Sequence, residues 1–336
     1  MPSALAVYFT APRQVEVRTR ELPAPGPGEV LVRTVASAIS AGSEMLVYRG
    51  EFPREPLNPH DPLSTDLHHP LPYGYACIGK VVDLGLSVDE AWRDQTVFAF
   101  QPHGSHFSVS PDGLLVVPKS VDTEVACLLP SMETAVNLVQ DAAPLVGERA
   151  LVLGQGVVGL LVAALLSEFP LDSVVTADLH PLRREASKRL ATRGSLDPSA
   201  RSFMTQALDL LGGPADLSIE VSGSPAALDQ AVALTGFGGR VIVGSWYGAK
   251  RSPLDLGGQF HRSRIRLISS QVSTIAPELT GSWNKARRFQ TAWRSLERVR
   301  PHAWISHRFP IEQAAEAYRM LDEHPEAALQ VIFTYP

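Results

Sequence analysis

Hydrophobic and polar positions follow two different rhythms along this chain. In the first third, short apolar stretches such as ALAVYF at 4–9 and VLVRTVASA at 30–38 are separated by proline and glycine. Many short strands without intervening helices predict a small β domain of the barrel or meander type. From about residue 122, strands alternate with helical patterns, and this alternation predicts a parallel, doubly wound α/β sheet.

The second rhythm assigns individual elements. Predicted strands are RALVLG, SVVTAD, DLSIEVS, GRVIVG and IRLISSQV, and the chain closes with a helix, IEQAAEAYRMLDEH, and a strand, LQVIFTY. The predicted helices between the strands run from Val157 to about Glu168, from Pro181 to about Arg193, from Ser199 to Leu211 and from Pro225 to Leu234. Two segments of the first third are predicted as loops: the polar SAGSEMLVYRG at 40–50 and the proline-rich stretch from about Glu51 to Pro72, which is a candidate lid or binding loop or a disordered segment.

Composition narrows the class of protein. The 336 residues are 45% hydrophobic and 19% charged, with a formal net charge of -5 and no dense basic block, which argues against a nucleic-acid partner. Cys77 and Cys127 are the only cysteines and form no CxxC pair, which excludes a disulfide framework and a four-cysteine zinc lobe. The sequence shows neither a signal peptide nor an apolar run long enough for a membrane span. We therefore expect a cytoplasmic protein that acts on a small molecule.

A glycine motif carries the strongest chemical signal. Gly154, Gly156 and Gly159 form GxGxxG between an apolar strand and an apolar helix, the context that a dinucleotide-binding turn requires. The first N–H groups of the helix, at Val157 and Val158, would then face the phosphates.

The next strand supports the motif, because it ends in an acid. Asp178 is placed to bind the adenosine ribose hydroxyls and to repel a 2'-phosphate, which favours NAD. Arg183 and Arg184 leave NADP as an alternative cofactor, since a nearby arginine can hold its 2'-phosphate. The structural alternative is a plain strand-to-helix turn in which Asp178 caps the following helix.

The whole chain resembles the medium-chain dehydrogenase/reductase superfamily. The resemblance is carried by PAPGPGEVLVR, the glycine motif, GFGGRVIVG and EAYRMLDEHPEAALQVIFTY. It implies a GroES-like β domain at 1–121, a Rossmann domain at 122–290, a C-terminal segment at 291–336 that rejoins the first domain, and a homodimer or homotetramer. It also implies that Arg183 is typical of NAD-using members and that Thr134, Ser222 and Gly244 contact the cofactor.

Against this family, the ligand positions for catalytic zinc are altered. The family's Cys-Gly-Thr-Asp box with a following histidine corresponds here to 41–44, AGSE, with Leu46 at the histidine position. Its Gly-His-Glu box corresponds to 74–76, GYA, and the third ligand position falls within LLPSMETAV, where Glu133 is available. A catalytic zinc needs three protein ligands. The resemblance is therefore to a branch without zinc that includes bacteriochlorophyllide a dehydrogenase and bacterial oxidoreductases of undefined substrate.

Three side chains are candidates for catalysis without zinc. Ser43 keeps the hydroxyl that the family uses as a proton relay, Tyr75 stands at the position of a zinc-binding imidazole, and Glu133 is a candidate acid or base. The alternatives are purely structural roles, as a helix cap for Ser43 and as a packed aromatic ring for Tyr75.

We predict hydride transfer between NAD(H) and an alcohol or ketone. Reduction of an enone or quinone is the alternative reaction, and a dinucleotide-binding sensor or assembly subunit without turnover is the alternative of another class.

Overall fold

A computed structural model describes residues 3–22, 24–52 and 67–336. Residues 53–66, most of the predicted proline-rich loop, lie outside the described residues. Contacts divide the chain into two compact units, Met1–Pro130 with Arg300–Pro336, and Ser131–Val299. The sequence predicts boundaries after residues 121 and 290, whereas the contacts place them after Pro130 and Val299.

The regular elements are numbered in chain order. The strands are β1 (Ser3–Ala11), β2 (Gln14–Glu21), β3 (Val30–Ile39), β4 (Leu71–Pro72), β5 (Cys77–Leu84), β6 (Thr96–Ala99), β7 (His106–Val109), β8 (Leu114–Val116), β9 (Arg149–Leu153), β10 (Ser173–Ala177), β11 (Gly194–Leu196), β12 (Ala215–Glu220), β13 (Thr235–Val243), β14 (Arg266–Ser269), β15 (Ile305–Pro310) and β16 (Gln330–Thr334). The helices are α1 (Ser43–Arg49), α2 (Thr123–Ala126), α3 (Leu129–Ala142), α4 (Val157–Leu166), α5 (Pro181–Lys188), α6 (Phe203–Leu211), α7 (Pro225–Leu234), α8 (Lys285–Val299) and α9 (Ala314–Glu323). Among these helices, none is both long and apolar enough to cross a lipid bilayer.

The first unit contains two sheets. Strands β2, β1 and β4 form an antiparallel three-stranded sheet, and a seven-stranded sheet runs in the order β15-β16-β3-β5-β6-β8, with β7 paired to β3. An aromatic cluster fills the core beneath α1 and α9, where the Tyr318 ring lies 5.0 Å from Phe9 and 5.4 Å from Tyr48. The predicted β-rich first domain is confirmed.

The second unit is a parallel sheet of six strands in the order β11-β10-β9-β12-β13-β14. Numbered within the unit, this is 3-2-1-4-5-6, the order of the Rossmann fold, and it confirms the predicted doubly wound α/β domain. The direction of winding reverses between β9 and β12, and ligands of open α/β sheets bind at such switch points, outside the carboxyl ends of the strands.

Several predicted elements have different ends in the structure. Helix α6 begins at Phe203 instead of Ser199, because Asp197 accepts hydrogen bonds from the N–H (2.9 Å) and hydroxyl (2.6 Å) of Ser199 and holds a turn there. Helix α5 ends at Lys188 because the chain must turn back to add β11, which begins at Gly194. The predicted loop at 40–50 was wrong, since it contains α1.

An ion pair between a buried arginine and a half-buried glutamate closes one end of the Rossmann sheet. The Arg240 guanidinium on β13 donates to both carboxylate oxygens of Glu148 at 2.7 and 2.8 Å and to the carbonyls of Ala142 and Ala143 at the end of α3. Burial alone would raise the pKa of Glu148, but the hydrogen bonds from Arg240 and from the Leu145 N–H bring that pKa below its usual value. The pair therefore stabilises the folded unit above the ordinary carboxyl pKa and less as pH falls.

We expect Arg240→Ala to lower the free energy of unfolding at pH 7 by about 1–3 kcal/mol, because it leaves a half-buried carboxylate and two carbonyls without their donor. The loss should shrink in acid as Glu148 protonates. Denaturant unfolding at pH 7 and pH 4 measures both effects. The control is Arg298→Ala, which breaks an exposed 2.8 Å pair with Glu168 and should cost under about 1 kcal/mol. Equal losses in the two variants would contradict this account.

Candidate functional site

The three motif glycines of the second unit meet three different requirements. Gly154 has φ +96°, and a Cβ there would lie 2.6 Å from the backbone nitrogen of Ser222. A Cβ on Gly159 would lie 1.8 Å from the Gly154 carbonyl oxygen, so α4 packs close to the turn. Gly156 faces open space at the N-cap of α4. This is the shape that lets a pyrophosphate approach backbone N–H groups at a helix N-terminus.

Asp178 lies directly beside this turn. Its Oδ2 accepts the backbone N–H of Gln155 at 2.6 Å and its Oδ1 accepts that of His180 at 2.8 Å. The Arg183 guanidinium lies 3.8 Å from Oδ2, and Arg184 donates to the Asp178 carbonyl at 2.8 Å. The structure thus brings Asp178 and Arg183 together with the glycine turn. Gln155, which the sequence did not single out, is buried and ties the turn to the acid.

Two more predicted cofactor residues, Ser222 and Gly244, lie just after the carboxyl ends of β12 and β13. Glu220 is buried and accepts both the N–H (2.7 Å) and the hydroxyl (2.5 Å) of Ser222, while its other oxygen accepts the Tyr247 hydroxyl at 2.6 Å. Burial, followed by the Glu220 charge, raises the pKa of Tyr247 above its ordinary value. The N–H of Gly244 donates to the Glu220 carbonyl at 2.9 Å. Glu220 therefore organises this edge, a role that the sequence did not indicate.

Glu133, a predicted acid or base, has strong cationic partners within the second unit. It is buried in α3 and accepts hydrogen bonds from Lys285 and, at 3.0 Å, from Nε of Arg288, whose side chain is fully buried. Arg288 also binds the side-chain carbonyl of Asn137 on α3. These contacts give Glu133 a role in fastening α3 to α8, and its catalytic role stays a prediction. Thr134 follows it, half-buried in the same helix.

In the first unit, the side chains of Ser43 and Ser40 lie near the Tyr75 hydroxyl and act on its pKa. Burial, followed by the negative charge of Glu44, raises the pKa of Tyr75 to about 12, although the two serine hydroxyls work in the opposite direction. The N-cap of α1 is Gly42, so Ser43 is the first helical residue and not the cap. We call Ser43 and Tyr75 the hydroxyl pair.

Beneath the hydroxyl pair lies a second pair without any solvent exposure. Glu44 Oε2 lies 3.0 Å from Nε2 of His103, and both side chains are 0% exposed. Oε2 also accepts the Tyr318 hydroxyl at 2.8 Å, and Oε1 accepts the N–H of Ser40 at 2.9 Å. We call Glu44 and His103 the buried pair. Glu44 is among the most deeply buried acids of the residues that the structure describes.

The described residues do not fit a catalytic zinc at the position that the family would use. Ala41 is exposed, and Leu46 and Ala76 are buried apolar side chains without donor atoms. Tyr75 keeps its proton at neutral pH, because burial and then the Glu44 charge raise its pKa to about 12. Across 3–22, 24–52 and 67–336, the metal-compatible cluster found is Asp122, Glu124 and His302, in which Glu124 is already bound by Arg308 at 2.8 Å.

Comparisons with known proteins agree with this architecture. The family model described as zinc-binding dehydrogenase matches residues 157–292. The L-galactonate-5-dehydrogenase of Escherichia coli K12 is 26% identical over 91% of this chain and 92% of its own length. The alcohol dehydrogenase RspB of Escherichia coli CFT073, solved with NADH, superposes with a TM-score of 0.79 at 19% identity, covering 99% of each chain. A protein of Sinorhizobium meliloti 1021 solved with NADP has a TM-score of 0.79 at 18% identity, covering 99% of this chain and 100% of its own.

We expect alanine substitutions at two glycines of the turn to have different effects: one weakens dinucleotide binding and the other lowers stability. Gly156→Ala adds a methyl group in open space, so we expect normal stability and dinucleotide binding at least about tenfold weaker, a loss of roughly 1.4 kcal/mol. Gly159→Ala places the methyl against the Gly154 carbonyl, so we expect a lower melting temperature. Thermal unfolding and NADH fluorescence titration separate the two. Gly281→Ala, also in open space, is the control and should change neither. Unimpaired NADH binding by Gly156→Ala would count against a dinucleotide at this turn.

Proposed function

We propose that the chain is a medium-chain, alcohol-dehydrogenase-like member of the zinc-binding dehydrogenases, whose family model matches residues 157–292, and that it interconverts an alcohol and a ketone with NAD(H) and without the family's catalytic zinc. NAD(P)-dependent oxidoreduction follows from the family. The finer parts of the proposal, namely the missing metal, the preference for NAD and the proton donor, rest on this chain's own residues. The observation that carries them is the set of residues at the family's ligand positions, where Leu46 and Ala76 are buried apolar side chains and Tyr75 lies near Ser43. The preference for NAD rests on Asp178 beside the glycine turn.

The second unit supplies the residues for the dinucleotide. The turn from Gly154 to Gly159 and the first N–H groups of α4, at Val157 and Val158, would hold the pyrophosphate. Asp178 and Arg183 would hold the adenosine ribose, with Thr134, Ser222 and Gly244 towards the nicotinamide. When bound, the cofactor exchanges a hydride with the substrate carbon.

The hydroxyl pair would handle the proton. With a pKa of about 12, the Tyr75 phenol stays protonated at neutral pH and donates a hydrogen bond to the substrate oxygen. As a carbonyl is reduced, its carbon gains the hydride and its oxygen takes the proton of Tyr75. The phenolate recovers a proton from Ser43, whose half-buried hydroxyl is open to exchange with water.

The first test of this function removes each hydroxyl. We expect Tyr75→Phe and Ser43→Ala to lower kcat by about 10²-fold to 10⁴-fold, because each takes away a positioned proton donor. NADH binding should be unchanged, since its residues belong to the second unit. Turnover is measured at 340 nm with a panel of secondary alcohols, ketones, enones and quinones.

The pH profile sharpens this test. Because Tyr75 keeps its proton up to about pH 12, the ratio of wild-type to Tyr75→Phe rates in the reduction direction should stay flat from about pH 6 to pH 10. A wild-type protein that binds NADH but turns over no member of the panel would favour the non-catalytic alternative. Activity restricted to enones or quinones would favour the alternative reaction.

The cofactor preference has its own test. We expect the protein to bind NADH more tightly than NADPH, because the Asp178 carboxylate repels a 2'-phosphate. Asp178→Asn should narrow that preference by about tenfold, or roughly 1.4 kcal/mol. Asp209→Asn makes the same change of charge on the exposed face of α6 and should leave the preference intact. Tighter binding of NADPH by the unaltered protein would overturn this assignment.

A further inference from the structure

We propose that the buried pair, Glu44 and His103, positions the hydroxyl pair by tying together the two chain segments that carry it. The inference rests on the proposed function, because it assigns to the hydroxyl pair a role that needs precise orientation. Positioning of a proton donor within a fraction of an ångström is what makes such a donor effective.

The first segment, residues 40–44, is fixed through the carboxylate. Glu44 Oε1 accepts the backbone N–H of Ser40 at 2.9 Å, which closes the turn that leads into α1. The side chains of Ser40 and Ser43 both lie near the Tyr75 hydroxyl and act on its pKa. One carboxylate therefore holds the backbone of the segment that carries both serines.

The second segment, residues 73–75, is fixed through the imidazole. The backbone N–H of His103 donates to the Tyr73 carbonyl at 3.0 Å. The His103 ring lies so close to Gly74 that a Cβ there would be 2.6 Å from ring atom Cδ2, and Gly74 has φ +119°, which a side chain would strain. The imidazole packs directly against the backbone at Gly74, the residue before Tyr75.

The buried pair joins these two segments and is itself held by a directed chain of hydrogen bonds. Ser37 Oγ lies 2.7 Å from His103 Nδ1 and 2.6 Å from the Tyr335 hydroxyl. Donation from Tyr335 to Ser37, then to Nδ1, leaves Nε2–H to donate to Glu44, while the Tyr318 hydroxyl donates to the same carboxylate at 2.8 Å. Every buried polar group named here then has a partner, which a group without exposure requires.

The same arrangement has an electrostatic consequence for the phenol. The groups that act on the pKa of Tyr75 are the Glu44 carboxylate and the side chains of Ser40 and Ser43, and Tyr75 in turn raises the pKa of the neighbouring Tyr73. After burial, the Glu44 charge is the next cause of the raised pKa of Tyr75. Loss of that charge should therefore lower this pKa, a change that a purely mechanical support would not produce.

The test places 3-fluorotyrosine at position 75 and records its ¹⁹F resonance against pH. Fluorination makes the phenol more acidic, which brings its titration into a range where the protein stays folded. The first variant is Glu44→Gln. Its amide can donate to Nε2 of His103 while the hydroxyl chain through Ser37 and Tyr335 reverses, so we expect it to fold.

Two results are expected. Glu44→Gln should move the Tyr75 resonance and shift its titration midpoint to lower pH. The second variant, His103→Gln, keeps an N–H donor for Glu44 but removes the ring beneath Gly74, and it should move or split the resonance. Thermal unfolding establishes that each variant is folded, and either folded variant suffices if the other does not fold.

A fluorotyrosine at Tyr8 is the control label. Tyr8 lies on β1 with the Arg18 guanidinium 4.8 Å from its ring centre, and its resonance should respond to neither variant. A Tyr75 resonance and midpoint that stay unchanged in folded variants would overturn the inference, whether or not the protein turns over a substrate. A Tyr75 resonance that responds as expected in a protein without turnover would support the positioning and overturn the proposed reaction instead.

Discussion

The buried carboxylate of Glu44 requires hydrogen-bond donors from several parts of the first unit. Moving Glu44 out of water costs several kcal/mol unless donors replace the lost water. The donors come from distant parts of the chain: the Ser40 N–H before α1, the His103 imidazole before β7, and the Tyr318 hydroxyl on α9. The C-terminal segment therefore contributes more than apolar area to this unit, because without α9 the carboxylate would lack one of its donors. Packing of the Tyr318 ring against Phe9 at 5.0 Å brings that hydroxyl to the acid.

The second unit meets the same constraint in another way. Its strand order sets β9 beside β12, so the turn after β9 and the loop after β12 approach until only glycine fits at position 154. Two buried acids hold these loops by accepting backbone N–H groups, Asp178 from Gln155 and Glu220 from Ser222. The edge of the sheet that the fold offers to a dinucleotide is thus shaped before any ligand arrives, and preorganisation of this kind reduces the entropy lost on binding.

The sequence predicted what is periodic or local, and little else. The glycine turn and the helices that begin at Val157 and Pro225 follow from short motifs, and the structure has them at those residues. Helix α8 was missed although Phe289, Trp293 and Leu296 repeat at helical spacing, because six charged residues between 285 and 298 mask the stripe. The buried pair could not have been predicted, since its members are 59 residues apart and Tyr318 is 274 residues from Glu44. Contacts of that range leave no pattern in a single sequence.

Under the proposed function, catalysis without zinc and the buried pair are connected. A neutral phenol stabilises a developing alkoxide less than a cation does, so more of the rate must come from orientation. The charge that helps to fix the orientation also acts on the chemistry: the Glu44 carboxylate raises the pKa of Tyr75, which strengthens its hold on the proton. Such a phenol serves as a hydrogen-bond donor at neutral pH and is a poor base unless a proton leaves through Ser43 at the same moment. Under the proposed function, oxidation retraces the steps of the reduction, so the proton passes through Ser43 in both directions.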